Sequence, residues 1–430
     1  MDGNKSEGSR RQTGLEEVLE FCVRLCRDMI ASGANLERVQ LAVARICSAY
    51  SLTDVSLYLL STYVSLAARD RDGRYASRQC GIPSSGIHLQ RLKQLNRLSY
   101  TVTAETPSPE RLGALLEEAK RTKEYPDAVI MLARVGAMIC LCVLFGGGVR
   151  EAVTVAVVTA FLHLIMNLMA RPGLDQVAVN AVVMFAASAA AFGMMAAGVS
   201  QNGAVIMITV SMLVIPGIPL VNAARNLLCG NEMNGVLQLL KAVIETLALA
   251  LGMWLAMRLF GRSMEDVAVT AVTDPLLLLL LSFGSSFCFA VVFRIPGHDL
   301  IRASMGSVLT RIALLTLPAV ISSRMICVTL AALAAALYAE VWATCRRDPS
   351  TYFVYPAIIP LIPGDLFYFM ILGFYRGDHA MMTANGLNCL STLIGMSIGF
   401  VLSSIIAHYI RRMRHAGLLR QAHPKKNRAG

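Results

Sequence analysis

Charge is scarce in this sequence: Asp, Glu, Lys and Arg make up 16% of the 430 residues, while 55% are apolar and the mean hydropathy is +0.57. A soluble enzyme carries nearer a quarter of its residues charged, so that class is excluded. The scarcity is also uneven. Residues 1–128 hold 34 of the 67 charged side chains. The remaining 302 residues contain apolar runs that reach the ~20 residues a helix needs to cross a hydrocarbon core of ~30 Å. One cut therefore separates a polar N-terminal domain from a membrane portion.

Other absences narrow the function. The first twenty residues have no apolar h-region, so no secretory signal is expected there. Residues 1–128 carry 18 basic and 16 acidic side chains with no basic cluster, which excludes a nucleic-acid footprint. The eleven cysteines are odd in number and scattered. Cys140, Cys142, Cys288, Cys327 and Cys389 lie inside apolar runs, where Cys acts as a small hydrophobe, and Cys22 and Cys26 match zinc spacing poorly. Disulfides, a metal or a cofactor are not expected. GIPSSGIH at Gly81–His88 puts serines near a histidine, but neither Ser84 nor Ser85 has the glycine two residues earlier that a nucleophile elbow needs. No enzyme is expected.

The polar domain reads as small and α/β. Glu16–Ser32 and Leu36–Ala49 space apolar residues by three and four, separated by Ser32-Gly33-Ala34-Asn35, and predict two amphipathic helices. Val55–Ala68 and Tyr75–Cys80 flank Arg69-Asp70-Arg71-Asp72-Gly73 and predict a hairpin. Helices over about Ile87–Ser99 and Pro109–Lys123 follow. The membrane portion then predicts ten spans, near 129–146, 151–169, 176–198, 204–222, 236–260, 269–293, 303–321, 325–345, 352–375 and 383–409. The tail 411–430 has seven basic residues after Ile410 and no acidic one, so it is expected on the cytoplasmic side of the cell membrane. An even span count puts the N-terminal domain there too. The short loops agree only weakly, with Arg171, Arg225, Arg294, Arg302, Arg346 and Arg347 inside against Arg150, Arg262, Arg324 and Arg376 outside.

Two spans carry a matched interruption. Ile215-Pro216-Gly217 lies in VIPGIPLVN and Ile362-Pro363-Gly364 in IIPLIPGDLFYF, 147 residues apart. Proline removes a helix hydrogen bond and glycine adds freedom, so both helices should break. The spacing divides the membrane portion into two five-span repeats, 129–262 and 263–410, and an odd number of spans makes the second inverted. Secondary transporters with inverted repeats bind substrate at such breaks, where half-helix N–H groups suit a carboxylate.

Ionisable residues inside spans are costly and need a reason. Arg311, with no local partner in sequence, is a candidate carboxylate clamp. The candidate substrate-binding set is Pro216, Gly217, Pro219, Asn222, Arg225, Pro363, Gly364, Tyr368 and Arg311. Asp365 and Glu340 are candidate proton carriers, and Lys241 and Glu245, four apart on one helix face, form either a neutral pair or a coupling element. His163 and Asn167 share a helix face and are read as interhelical hydrogen-bonding groups.

Several segments resemble a known family. Leu36-Glu37-Arg38-Val39 after Ser32-Gly33-Ala34-Asn35, Asn96-Arg97-Leu98-Ser99, Tyr125-Pro126, Phe145-Gly146-Gly147 and VIPGIPLVNAARNLL resemble the first component of the threonine/serine exporter family. Tyr338-Ala339-Glu340, Asp348-Pro349 and IIPLIPGDLFY resemble the second, so the chain resembles both components fused, from Glu16 to Ile410. The resemblance implies a ten-span secondary exporter of small hydroxy amino acids, driven by the proton motive force. Its partners would be that substrate, protons and the lipid bilayer, with a homo-oligomer left open. Split relatives are linked to succinate export, which keeps a dicarboxylate as the alternative substrate, and a channel is the alternative class. The family commonly has an acid after the arginine of its first Pro-Gly segment, whereas this chain has Arg225-Asn226 and then Asn231.

Overall fold

The computed structural model describes residues 3–82, 86–122, 124–170, 174–261, 272–346 and 348–422, with side chains between 14 and 410. Ser84, Ser85, Arg171, Arg262, Arg347 and the basic side chains of the tail, which entered the reading above, lie outside the described residues.

The N-terminal region runs α1 (Gly3–Ala31), α2 (Leu36–Ala49), β1 (Thr53–Leu59), β2 (Tyr63–Arg69), β3 (Tyr75–Gly81), α3 (Leu89–Glu105) and α4 (Pro109–Lys120). The turn before α2 forms because Gly33 takes φ +93°, which favours glycine, and the Asn35 side chain accepts a hydrogen bond from the Glu37 N–H at 3.2 Å. The expected hairpin is instead a three-stranded antiparallel sheet in the order β1-β2-β3. Leu60 N–H donates to the Tyr63 carbonyl at 2.8 Å and folds Val55–Ala68 into two strands. Asp70 closes the second turn by accepting from the Asp72 and Arg74 N–H groups, with Gly73 at φ +80°. Leu19, Cys22, Leu25, Cys26 and Met29 of α1 are buried with Val64, Leu66 and Ala68 of β2, so one sheet face and α1 form the domain core.

The membrane portion continues with α5 (Asp127–Leu144), α6 (Val149–Met169), α7 (Gln176–Ala196), α8 (Gly203–Val214), α9 (Gly217–Leu228), α10 (Glu232–Leu259), α11 (Pro275–Val292), α12 (Leu300–Thr316), α13 (Arg324–Arg346), α14 (Thr351–Ala357), α15 (Gly364–Arg376) and α16 (His379–Ala422). Among the described residues, eight helices are long and apolar enough to cross a membrane. Two bent pairs, α8 with α9 at 58° and α14 with α15 at 49°, bring the number to ten if each pair is one span. Their outer faces are apolar: Leu240, Ile244, Leu247, Leu251 and Leu255 of α10 are all exposed, which water would oppose and lipid accepts.

Close helix contacts recur at two glycines separated by the same 147 residues as the breaks. On α10, a Cβ at Gly252 would fall 2.1 Å from the Ala181 carbonyl oxygen of α7. On α16, a Cβ at Gly399 would fall 2.6 Å from the Thr329 carbonyl oxygen of α13. In both pairs only glycine lets the backbones approach, as is common for membrane helices.

Candidate functional site

The two breaks have the same local geometry. Pro216 has φ −76°, ψ 59° and Pro363 has φ −81°, ψ 52°, close to the centre of an inverse γ-turn. The N–H of Gly217 donates to the Ile215 carbonyl at 2.8 Å, and the N–H of Gly364 to the Ile362 carbonyl at 2.9 Å. Each helix restarts with its first i to i−4 bond on the proline carbonyl, Leu220 to Pro216 and Phe367 to Pro363, both at 3.0 Å. Every one of these groups has its counterpart 147 residues later.

The breaks also pack on one another. A Cβ at Gly217 would fall 2.5 Å from Ile362 Cγ2, and one at Gly364 would fall 2.7 Å from Met212 Cε. Each glycine thus makes room for an apolar side chain from just before the other break. Ile362 and Met212 are also two walls of a cavity of about 210 Å³, completed by Leu144, Phe145, Ser285, Leu314, Pro360 and Pro363.

Three charges enter that cavity: Arg311 from α12, Arg324 from α13 and Asp365 from the first turn of α15. Arg311 Nε donates to Ser282 Oγ at 2.7 Å, which aims the guanidinium. It feels the Asp365 carboxylate across the cavity, but no ion pair closes between them among the described residues. Arg324 Nε donates to Thr392 Oγ1 at 3.4 Å. The first turn of α15 adds N–H groups that have no intrahelical acceptor. Two guanidinium groups, one carboxylate and a half-helix N-terminus can together hold a small molecule bearing both a carboxylate and a cationic or hydroxyl group.

The other residues singled out from sequence lie elsewhere. Asn222 Nδ2 donates to the Tyr355 hydroxyl at 3.2 Å, and that hydroxyl donates to the Gly33 carbonyl at 3.1 Å. Arg225 reaches Ser404 Oγ at 3.4 Å and lies 3.9 Å from Glu37. These two residues face the N-terminal domain. Pro219 sits in the first turn of α9, and Tyr368 is buried within α15 without lining the cavity. Lys241 and Glu245 lie 3.9 Å apart on α10 and do not line it either. Glu340 borders a separate cleft against the N-terminal domain. Asn226 is buried and donates to Gln238 Oε1 at 3.0 Å. His163 joins a network, with Nδ1 2.8 Å from Arg134 Nη1 and Nε2 3.0 Å from Asp127 Oδ2, and Asn167 Nδ2 donates to the same Asp127 oxygen at 3.0 Å.

Two features escaped the sequence reading. Arg324 was counted as a loop charge, yet it is the first residue of α13, where a cation opposes the helix dipole and therefore needs another reason to be there. The second is the junction with the N-terminal domain. Lys93 Nζ is buried 3.0 Å from Asp299 Oδ2 and 2.7 Å from Asp348 Oδ2. The Tyr352 hydroxyl donates to Asp299 Oδ2 at 3.1 Å, and Arg302, Arg346 and Arg97 hold the outer carboxylate oxygens. The available signal was a lysine on the apolar stripe of α3, between Leu89, Leu92 and Asn96. Beside it, His88 Nε2 lies 3.1 Å from Glu124, which also meets Arg91 and Arg294. Burial pushes the His88 imidazole below its ordinary pKa, and the His88 hydrogen bond holds Glu124 low.

Residues 20–260 match a family model described as "Putative threonine/serine exporter", and residues 278–406 match one described as "Threonine/Serine exporter, ThrE". The chain belongs to the threonine/serine exporter family. Both parts of that family stand in one chain, and the break at Pro216 falls in the first and that at Pro363 in the second. A "Probable threonine/serine exporter" of Mycobacterium tuberculosis (strain ATCC 25618 / H37Rv) is 22% identical over 429 residues, covering 94% of this chain and 80% of the relative. No solved structure matches the chain. Membership makes this a multi-pass membrane protein of a transporter family with threonine or serine as the implied substrate.

Proposed function

We propose that the chain is a secondary active exporter of threonine or serine, driven by the proton motive force through alternating access. The observation that carries this reading is the reciprocal packing of the two breaks, Gly217 on Ile362 and Gly364 on Met212, beside a cavity that holds Arg311, Arg324 and Asp365. Residues 129–262 and 263–410 act as two inverted five-span repeats, and the breaks are the surfaces on which they rock. Arg311, held by Ser282, binds the substrate carboxylate. Asp365 meets the substrate ammonium or carries the coupling proton, and the α15 N-terminus completes the anion site. The N-terminal domain, residues 1–128, and the tail, 411–430, lie on the cytoplasmic face, where the domain gates entry. Two guanidinium groups against one carboxylate also favour a second reading, a dicarboxylate such as succinate.

Efflux of labelled threonine, serine and succinate from loaded proteoliposomes, with and without an imposed proton gradient, tests both. Gradient-dependent, saturable efflux of a hydroxy amino acid is expected. Efflux of succinate alone selects the second reading, and unsaturable current without gradient dependence makes the protein a channel.

A further inference from the structure

The junction between the N-terminal domain and α13 contains an open cleft of about 740 Å³. We propose that this cleft is a second binding site, taking a small amino acid or hydroxy acid from the side of the membrane that carries the N-terminal domain.

Guanidinium groups from three elements border it: Arg38 of α2, Arg97 of α3 and Arg346 at the end of α13. Arg38 Nη2 donates to Ser350 Oγ at 3.0 Å, Arg97 Nη2 to Asp348 Oδ1 at 3.3 Å and Arg346 Nη2 to Asp299 Oδ1 at 3.4 Å. These bonds aim the groups, and a guanidinium offers five N–H donors. Asn96, 1% exposed, lines the same cleft, and its Oδ1 is buried without a hydrogen-bond donor. A buried acceptor left in that state calls for a partner, which a ligand ammonium or hydroxyl supplies. Glu340 and Asp348 also border the cleft.

The lining is therefore mixed in a particular way. Arginines suit a carboxylate, while Asn96 Oδ1 suits a hydrogen-bond donor; Asp348 is already met by Lys93 and Arg97. A simple anion would satisfy the arginines and leave Asn96 Oδ1 facing another acceptor. A zwitterion or hydroxy acid satisfies both. A ligand here bridges α2 and α3 to α13 and stabilises the docked domain by mass action. The chemical class rests on the exporter reading above, whereas the site itself rests only on the cleft.

The test uses full-length protein in nanodiscs, with calorimetry and hydrogen exchange in the presence of threonine, serine, succinate or inorganic phosphate. Two binding events for threonine or serine are expected, with exchange protection across residues 96–101 and 340–346. Arg97→Gln should weaken one event at least tenfold, and Thr101→Trp, which fills the cleft from an exposed position, should abolish it. Arg311→Gln should leave the protection intact. The proposal is overturned if saturating amino acid gives no protection in those segments, if both cleft variants bind as the parent does, or if only phosphate or succinate protects. Protection that persists in a protein showing no amino-acid transport would defeat the exporter reading and leave this site standing.

Discussion

Gly217 lies so close to Ile362 that a single added methyl would fall 2.5 Å from the isoleucine Cγ2. The partner contact, Gly364 against Met212, is slightly longer at 2.7 Å and ends on the flexible tip of a methionine. This difference gives an asymmetric expectation. Gly217→Ala meets a stiff β-branched side chain and should destabilise by about 1–3 kcal/mol, the usual cost of overpacking. Gly364→Ala should cost less, because Met212 can turn away. Thermal unfolding of the two variants in one detergent, together with efflux rates, checks the order. Equal losses would show that the breaks are not packed as described.

On the proposed reading Arg311 binds and Asp365 couples, so variants at the two positions separate these roles. Arg311→Gln keeps a donor for Ser282 but removes the charge, so substrate affinity should fall at least tenfold, about 1.4 kcal/mol. Asp365→Asn should abolish the dependence of efflux on the proton gradient while leaving counterflow exchange measurable. If Asp365→Asn exports normally across pH, this residue is not the proton carrier. If Arg311→Gln binds as tightly as the parent, the clamp is elsewhere.

Lys93 is buried between two carboxylates, and removing it leaves their inner oxygens without a cation while Arg302, Arg346 and Arg97 still hold the outer ones. Lys93→Met should destabilise the docked N-terminal domain, by less than the about 3–5 kcal/mol of a buried charge left with no partner, because the arginines remain. Adding Asp348→Asn removes one of the two under-compensated charges and should restore part of the loss. Limited proteolysis of the N-terminal domain reads this directly, and a single variant as resistant as the parent would refute it.

His88 makes the same junction sensitive to acid. Burial holds its pKa below the ordinary value of about 6.5, with Arg91 and Arg294 acting in the same direction and Glu124 opposing them. The unfolded chain therefore takes up a proton before the folded one does. The stabilisation is complete above about pH 6.5 and is lost as pH falls through the folded value. Glu124, held below the usual carboxylate range, adds to the loss only in stronger acid. The melting temperature should drop between pH 7.5 and 5.5, and His88→Gln should flatten that drop. An unchanged profile in the variant would assign the acid sensitivity to other groups.

Much of the membrane portion was legible because hydrophobic length and proline-glycine pairs are local signals. The spans over α5 to α16 and the paired interruptions at Pro216 and Pro363 are readable from runs and spacing alone. The turn at Leu60–Tyr63 was not, because two strands joined by so short a turn keep one continuous apolar pattern. The positions of Arg324, Lys93, Asp299 and Asp348 were hidden for a different reason. Lys93 lies 206 residues from Asp299 and 255 from Asp348, and only the tertiary fold shows that each charge has its partners. Asn222 and Arg225 stand beside a break in sequence, yet the bend of α9 carries them toward the N-terminal domain instead of the cavity.

The turn after β1 is pinned to the start of α10, where Asn234 Nδ2 donates to the Leu59 carbonyl and its Oδ1 accepts from the Ser61 N–H, both at 2.8 Å. The same small domain is riveted through Lys93 to acids that flank α12 and α14. It is thus yoked to both halves of the membrane portion at once. If the two halves rock as proposed above, the motion must drag this yoke with it or tear one of its two fastenings, so the turnover rate and the grip of the N-terminal domain would be set together.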